Sequence, residues 1–285
     1  MLQGNQSFSF FSGATGFSFF DDSSSSSANE ETSTTPLPPS EIIHTVPSSV
    51  QYRTEPVDID GLILLKGRVS TKEVIGLQSS DLVPGVYEGG LKLWEGSIDL
   101  CRALNKEVKA KKLSFPGKRV LELGCGHGLP GILACLEGAS SVHFQDFNAE
   151  VLQHLTIPNA KANLSNNNEM GLNPELRFFS GCWSQVHDVL PNDEGLTSGY
   201  DIILMAETIY SVSSQRNLYE LIKKCLKIPS GVVYLAAKRY YFGVGGGTQQ
   251  FLSMIEEDGL LEGCLFAEVS DGFSNVREVW KLKVK

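Results

Sequence analysis

No lysine or arginine occurs before Arg53. That excludes both the basic start of a secretory signal and an arginine-rich transit peptide. No apolar run reaches the roughly 18 residues a membrane-spanning helix needs, so no membrane contact is expected. The six cysteines (101, 125, 135, 182, 225 and 264) include no C-x-x-C pair, and the five histidines (44, 127, 143, 154 and 187) no H-x-x-x-H pair. Neither a disulfide framework nor a zinc ribbon fits such spacing; a reducing compartment and no metal are the expectation. Basic charge is short as well. The net charge of −9 has the wrong sign for a general nucleic-acid binder. It serves solubility, and it also speeds encounter with a basic partner. A soluble intracellular protein follows from these absences.

What is present is ample core material: 41% of 285 residues are hydrophobic, enough for one large domain or two small ones. Residues 1–50 differ from the rest. Phe8, Phe10, Phe11, Phe17, Phe19 and Phe20 alternate with serine and glycine, and a serine run, acids and prolines follow. Such a segment buries too little apolar surface to offset its ordering entropy, so it reads as a disordered tail. Residues 51–118 read as an N-terminal extension: a short strand or hairpin over 51–78, a Pro/Gly-rich loop over 81–97, and a helix over 98–108. Residues 119–285 read as the main domain.

The chain is organised around RVLELGCGHGLPG, residues 119–131. The apolar run Val120, Leu121, Leu123 suits a buried parallel strand. Gly124, Gly126, Gly128 and Gly131 then break it before an apolar helical run. Strand, glycine turn, helix is how a doubly wound sheet binds a nucleotide-like ligand. A dinucleotide site wants G-x-G-x-x-G; here the third glycine falls one place early, at Gly128, which gives E-x-G-x-G-x-G from Glu122. That pattern resembles motif I of the seven-strand S-adenosylmethionine (SAM) methyltransferases, and the resemblance favours SAM over a nicotinamide dinucleotide without deciding between them.

Alternation continues with strands over 141–145, 176–180, 201–206 and 231–237, and helices over 149–163 (kinked at Pro158), 215–227 and 249–258. A hairpin over 263–269 and 276–284 turns at Asp271-Gly272. The expected fold is α/β: a doubly wound, seven-stranded, mostly parallel sheet with one antiparallel strand from the terminal hairpin.

Several residues fall at strand ends, where such sheets bind ligands. Asp146 ends the second strand 20 residues beyond Gly126 and suits both ribose hydroxyls; as a helix N-cap it competes with Asn148, which fills that role better. In a SAM site Gln145 and Phe147 would flank the adenosine. Cys182 and Trp183 suit an adenine slot, although Trp183 serves equally as core. Glu207 sits where methyl donor and nucleophile would meet, or caps a helix; Tyr210 could wall the pocket. Tyr240, Tyr241 and Phe242 before a glycine cluster suit a substrate-facing loop.

PGVYEGGLKLWE, VLELGCGHGLPG, HFQDFN, LTIPNAKAN, SGCW, MAETIYS and AAKRYYFGVGGG occur in this order. Together they resemble the histidine protein methyltransferases of the seven-strand class, over roughly residues 81–285. The resemblance implies SAM-dependent methylation of a histidine ring nitrogen in a basic large-subunit ribosomal protein. It implies SAM contacts at Trp94, Glu95, Gly124, Gly126, Asp146, Cys182, Trp183 and Ala206. Glu207 and Tyr210 match its E-x-x-Y element near the acceptor, where lysine-methylating relatives often carry Asp. A monomer in the cytoplasm, or at the nucleus or nucleolus, without direct nucleic-acid contact, completes that expectation. Three readings compete: a protein-lysine methyltransferase of the same fold, using Tyr210, Tyr240 and Tyr241 as an aromatic cage; a nicotinamide reductase; and a non-catalytic SAM-fold binding protein acting as an assembly chaperone.

Overall fold

The structure, a computed structural model, describes residues 39–44, 50–77, 81–165, 173–191, 199–270, 272 and 275–285. The expected tail therefore lies outside the described residues, except at 39–44 and 50. There the chain departs from the expectation: Glu41–Ile42 forms a short strand, β1. The hairpin follows as β2 (Arg53–Ile59) and β3 (Leu62–Arg68). Asp60 and Gly61 both take positive φ, 50° and 89°, the backbone that a two-residue Asp-Gly turn requires. A short helix α1 (Thr71–Ile75) closes this extension.

Helix α2 (Glu95–Lys109) buries Gly96, Asp99, Leu100, Ala103 and Leu104, a stripe at i, i+3, i+4 spacing. Strand β4 (Arg119–Leu123), the glycine turn and α3 (Leu129–Leu136) are the opening unit. Strand β5 (Ser141–Asp146) leads into a helix built of three pieces: α4 (Ala149–Val151), a π-helical stretch (Leu152–Thr156) and α5 (Ile157–Leu164). Pro158 has no N–H to give the carbonyl four residues back, and the widened turn lies where that bond would fall. Then come β6 (Glu175–Ser180), β7 (Ile202–Ala206), α6 (Val212–Cys225), β8 (Val232–Lys238), α7 (Thr248–Asp258), β9 (Leu261–Val269) and β10 (Arg277–Val284).

Strands β2 and β3 pair only with each other, and the other strands form one sheet in the order β1-β6-β5-β4-β7-β8-β10-β9. Strands β6 to β8 run parallel in this order, and β10 lies antiparallel between β8 and β9. Seven strands are those expected, with the antiparallel one from the terminal hairpin. The eighth, β1, pairs antiparallel with β6 through Glu41–Ser180 and Ile42–Phe179. Successive side chains alternate between faces: Val120 and Leu204 join the α2/α3 side of the core, Leu121 and Ile203 the α6/α7 side.

Strand order reverses beside β4, whose neighbours are β5 and β7. Ligands of open α/β sheets bind at that point, outside the carboxyl ends. The hairpin buttresses the same region. Asn163 bonds Leu65 through both N–H and C=O at 2.7 Å each, as a strand partner would. Asn159 accepts from Gly67 N and Tyr52 Oη while donating to His127 O at 2.8 Å.

Candidate active site

A cavity of about 370 Å³ opens at the carboxyl ends of the central strands. Its floor is the glycine turn. Gly126 takes φ +48°, and a Cβ there would lie 3.0 Å from Gly90 O; Gly124 takes φ +59°, with a Cβ 2.7 Å from Thr208 Cγ2. Backbone passes close to backbone here, and a side chain at either position would fill the space above the turn. Glu122 acts from behind: its buried carboxylate accepts from Gly131 N at 2.8 Å, and burial pushes its pKa well up. The π-helical stretch contributes as well, because it delivers the Thr156 hydroxyl to Gly126 O at 2.6 Å. Nothing local in the sequence signals that contact.

Asp146 ends β5 as expected and faces the cavity. Its Oδ2 accepts from Gly126 N at 2.8 Å and its Oδ1 from Asn148 N at 3.1 Å. Burial nevertheless dominates and pushes its pKa up to about 6. Asn148 occupies the N-cap position of α4 but makes no capping bond. It fastens the loop over the cavity instead, donating to Val86 O (2.9 Å) and accepting from Glu88 N (3.1 Å).

Phe147, Cys182, Trp183, Ala206 and Trp94 line the cavity as the sequence suggests. Gln145 does not. It is fully buried and holds neighbouring strand ends together: Nε2 donates to Gly181 O (2.8 Å) while Oε1 accepts from Trp183 Nε1 (2.9 Å) and Gly124 N (3.3 Å). Glu95 is also absent from the lining. It is exposed, and Gly96, the next residue, carries the inward face of α2. One residue along a helix is a turn of about 100°, so the acid of the W-E pair points away. Trp94 itself is set by its Nε1 donating to Gly89 O at 3.0 Å.

Glu207 and Tyr210 follow β7 and both face the cavity. Glu207 is one of the few non-glycine residues at positive φ, +58°, a conformation that costs about 1 kcal/mol or more and clusters at functional sites. Its Oε1 accepts from Gly96 N at 3.2 Å and its Oε2 from the Tyr241 hydroxyl. The capping alternative is thus half met, on α2 rather than on the helix that follows. Burial raises the pKa of Glu207 despite the Tyr241 bond. The Tyr210 hydroxyl donates to Glu88, and burial, then the Glu88 charge, pushes that phenol upward. Sequence reasoning missed Glu88 and Tyr241 as partners of these groups, and also Thr208, whose buried hydroxyl finds no partner among the described residues.

Among the described residues, the charged lining is three carboxylates (Glu88, Asp146, Glu207) against one lysine, Lys92. A pyrophosphate would meet repulsion there, whereas a cationic ligand would not. A doubly wound sheet, a terminal antiparallel strand and a glycine turn with an acid at the end of the next strand define the SAM-dependent methyltransferase fold. The cofactor of that class is S-adenosylmethionine. A T. thermophilus 16S rRNA N2 methyltransferase, solved with AdoMet and guanosine, shares the fold at a TM-score of 0.52 and 16% identity, covering 87% of this chain and 59% of that one.

A family model described as lysine methyltransferase matches residues 84–258, and the chain belongs to that family. The histidine protein methyltransferase 1 homolog of Dictyostelium discoideum is 44% identical over 209 residues, 73% of this chain and 62% of the relative. The homolog of Bos taurus is 42% identical over 200 residues, 64% of this chain and 52% of the relative. The chain thus spans about half to six-tenths of the length of these relatives.

Proposed function

We propose that this chain transfers a methyl group from SAM to a histidine ring nitrogen of a basic large-subunit ribosomal protein, acting as a monomer in the cytoplasm or nucleus. The observation that carries the reading is Glu207, a buried carboxylate held from two sides beside a glycine turn in an acid-lined cavity. Gly124 and Gly126 leave room for the cofactor, Asp146 offers oxygens for ribose hydroxyls, and Phe147, Cys182 and Trp183 form an apolar wall for adenine. Bound there, SAM supplies an electrophilic methyl on a cationic sulfur.

The chain's own residues have modest work to do. Unperturbed imidazole, with a pKa near 6.5, is mostly neutral at cellular pH, so one ring nitrogen already carries a lone pair. Glu207 accepts the N–H of the other nitrogen, which fixes the tautomer. Tyr210 walls the site, and the loop fastened by Asn148 and by the Tyr210–Glu88 bond excludes water. Orientation and dryness are the catalytic contribution.

A lysine acceptor is the second reading, favoured by the description of the family model. Against it, the three tyrosines expected as a cage do not all face the cavity, although Tyr210 and Tyr241 pack edge to face with ring centroids 6.3 Å apart. Only Tyr210 lines the cavity; Tyr241 bonds Glu207, and Tyr240 is 44% exposed and bonds Gln249 at 2.6 Å. The deciding test is label transfer from tritiated SAM to ribosomal proteins of cells lacking the chain, followed by hydrolysis. Methylhistidine is expected; methyllysine would replace the proposed acceptor. SAM binding without transfer would favour the chaperone reading.

Two results are expected on cofactor affinity. Trp183→Ala should weaken SAM binding about tenfold, the worth of one aromatic wall, as read by calorimetry. Affinity should also rise with pH through about 6, since Asp146 must be ionised to accept from ribose. The sign for stability is opposite. The raised pKa favours the folded, ligand-free protein below about pH 4, and about 3 kcal/mol of that is lost as pH climbs past about 6. The rise in melting temperature on adding SAM should therefore grow between pH 5 and 7.5. A rise that is flat across that range would remove Asp146 from the ribose role.

A further inference from the structure

Residues 240–246 join β8 to α7 and form a stapled loop. Tyr241 N donates to Gly246 O, Val244 N and Gly245 N donate to Tyr241 O, and Gly246 N donates to Tyr210 O, all within 2.9–3.2 Å. Gly246 has no space for a side chain, since a Cβ would lie 2.2 Å from Ile209 O. A bridge between Ser211 and Gly245 fastens the loop to the start of α6. Its inner side chain, Tyr241, bonds Glu207. Beside it on the loop, Phe242 is 84% exposed and Val244 55%, and Val212 at the start of α6 is 43% exposed. Val244 also lines the cavity, whereas Phe242 does not.

A phenylalanine held open on a firmly bonded loop forgoes the gain of burying its ring. Nothing in the described fold covers it, and Val244, two residues on, lines the cavity. The reacting side chain of a protein acceptor must enter that mouth while its flanking backbone stays outside. The loop that carries Val244 is one rim such flanks can meet. The cavity's carboxylates and the net charge of −9 select a basic flank.

We propose that Phe242 and Val244 form the docking surface for the acceptor protein, seating a large apolar side chain close to the methylated residue in a basic segment. This rests on the methyltransferase reading above, and it names what that site recognises beyond the reacting residue. Because Phe242 touches neither the glycine turn nor Glu207, it governs acceptor binding and not chemistry.

The test compares wild type, Phe242→Ser and Phe242→Leu on individually purified large-subunit ribosomal proteins from cells lacking the chain. For the protein that wild type methylates, KM should rise about tenfold in the serine variant. Its kcat and SAM affinity should stay within about twofold, and leucine should restore most of the loss. A KM unchanged by serine overturns the proposal, as does a loss confined to kcat or a parallel fall in SAM affinity. Equilibrium binding of the same proteins separates the two readings. If no protein is methylated but one binds wild type tenfold better than Phe242→Ser, the docking surface stands and the catalytic reading falls. Equal binding to both variants ends the docking proposal.

Discussion

Replacing Glu207 by glutamine is expected to lower methyl transfer about 100- to 1,000-fold while SAM affinity moves less than about threefold. The substitution keeps the side chain's volume, and an amide oxygen can still accept from Gly96 N. It removes the charge, and it turns an N–H₂ toward Tyr241 or toward the acceptor, where an acceptor of protons is required. Tautomer selection is lost even though the cavity keeps its shape. Single-turnover rates with calorimetry on the same protein check this. A SAM affinity that collapses with the rate would make Glu207 a cofactor ligand and empty the proposed role.

The second large effect falls on the cofactor. Asp146→Ala should weaken SAM binding about 100-fold or more, because two charge-assisted hydrogen bonds of roughly 1.5–3 kcal/mol each disappear. Gly126 N and Asn148 N also lose their acceptor, so the turn and the loop start both loosen. Asp146→Asn is the informative companion. It keeps the volume, but its amide oxygen can accept from only one of those two N–H groups while its N–H₂ faces the other, so SAM affinity should still fall without the side chain being removed. Binding within threefold of wild type in both variants would move the ribose contact elsewhere.

The fold was legible because its signals are local. Val120, Leu121 and Leu123 sit directly before the glycines, and that order of elements leaves few alternatives to a doubly wound sheet. The strand or hairpin expected over 51–78 formed as β2 and β3, although its Asp60-Gly61 turn was not singled out in the sequence. Strand-end position carried Asp146, Cys182, Trp183 and Glu207 to the cavity without further information. What the sequence did not show depends on direction or on long range. Gln145 adjoins Asp146 in the strand, and successive side chains point to opposite faces; one bonds strand ends and the other faces the cavity. Glu95 lost to Gly96 through the rotation of α2. The Tyr210–Glu88 bond spans 122 residues and the Tyr241–Glu207 bond 34, and no periodicity encodes such pairs. Neither does any pattern in residues 39–44 announce a strand.

That short strand has a practical consequence. Strand β1 covers the flank of β6, with Ile43 buried and its N–H donating to Phe178 O at 2.8 Å. A chain cut at residue 51, where composition alone would set the boundary, would leave a row of backbone donors and acceptors open along β6. An open flank of that kind recruits strands from other molecules. Recombinant protein trimmed there should self-associate and come out of solution, whereas protein trimmed at 39 should stay dispersed.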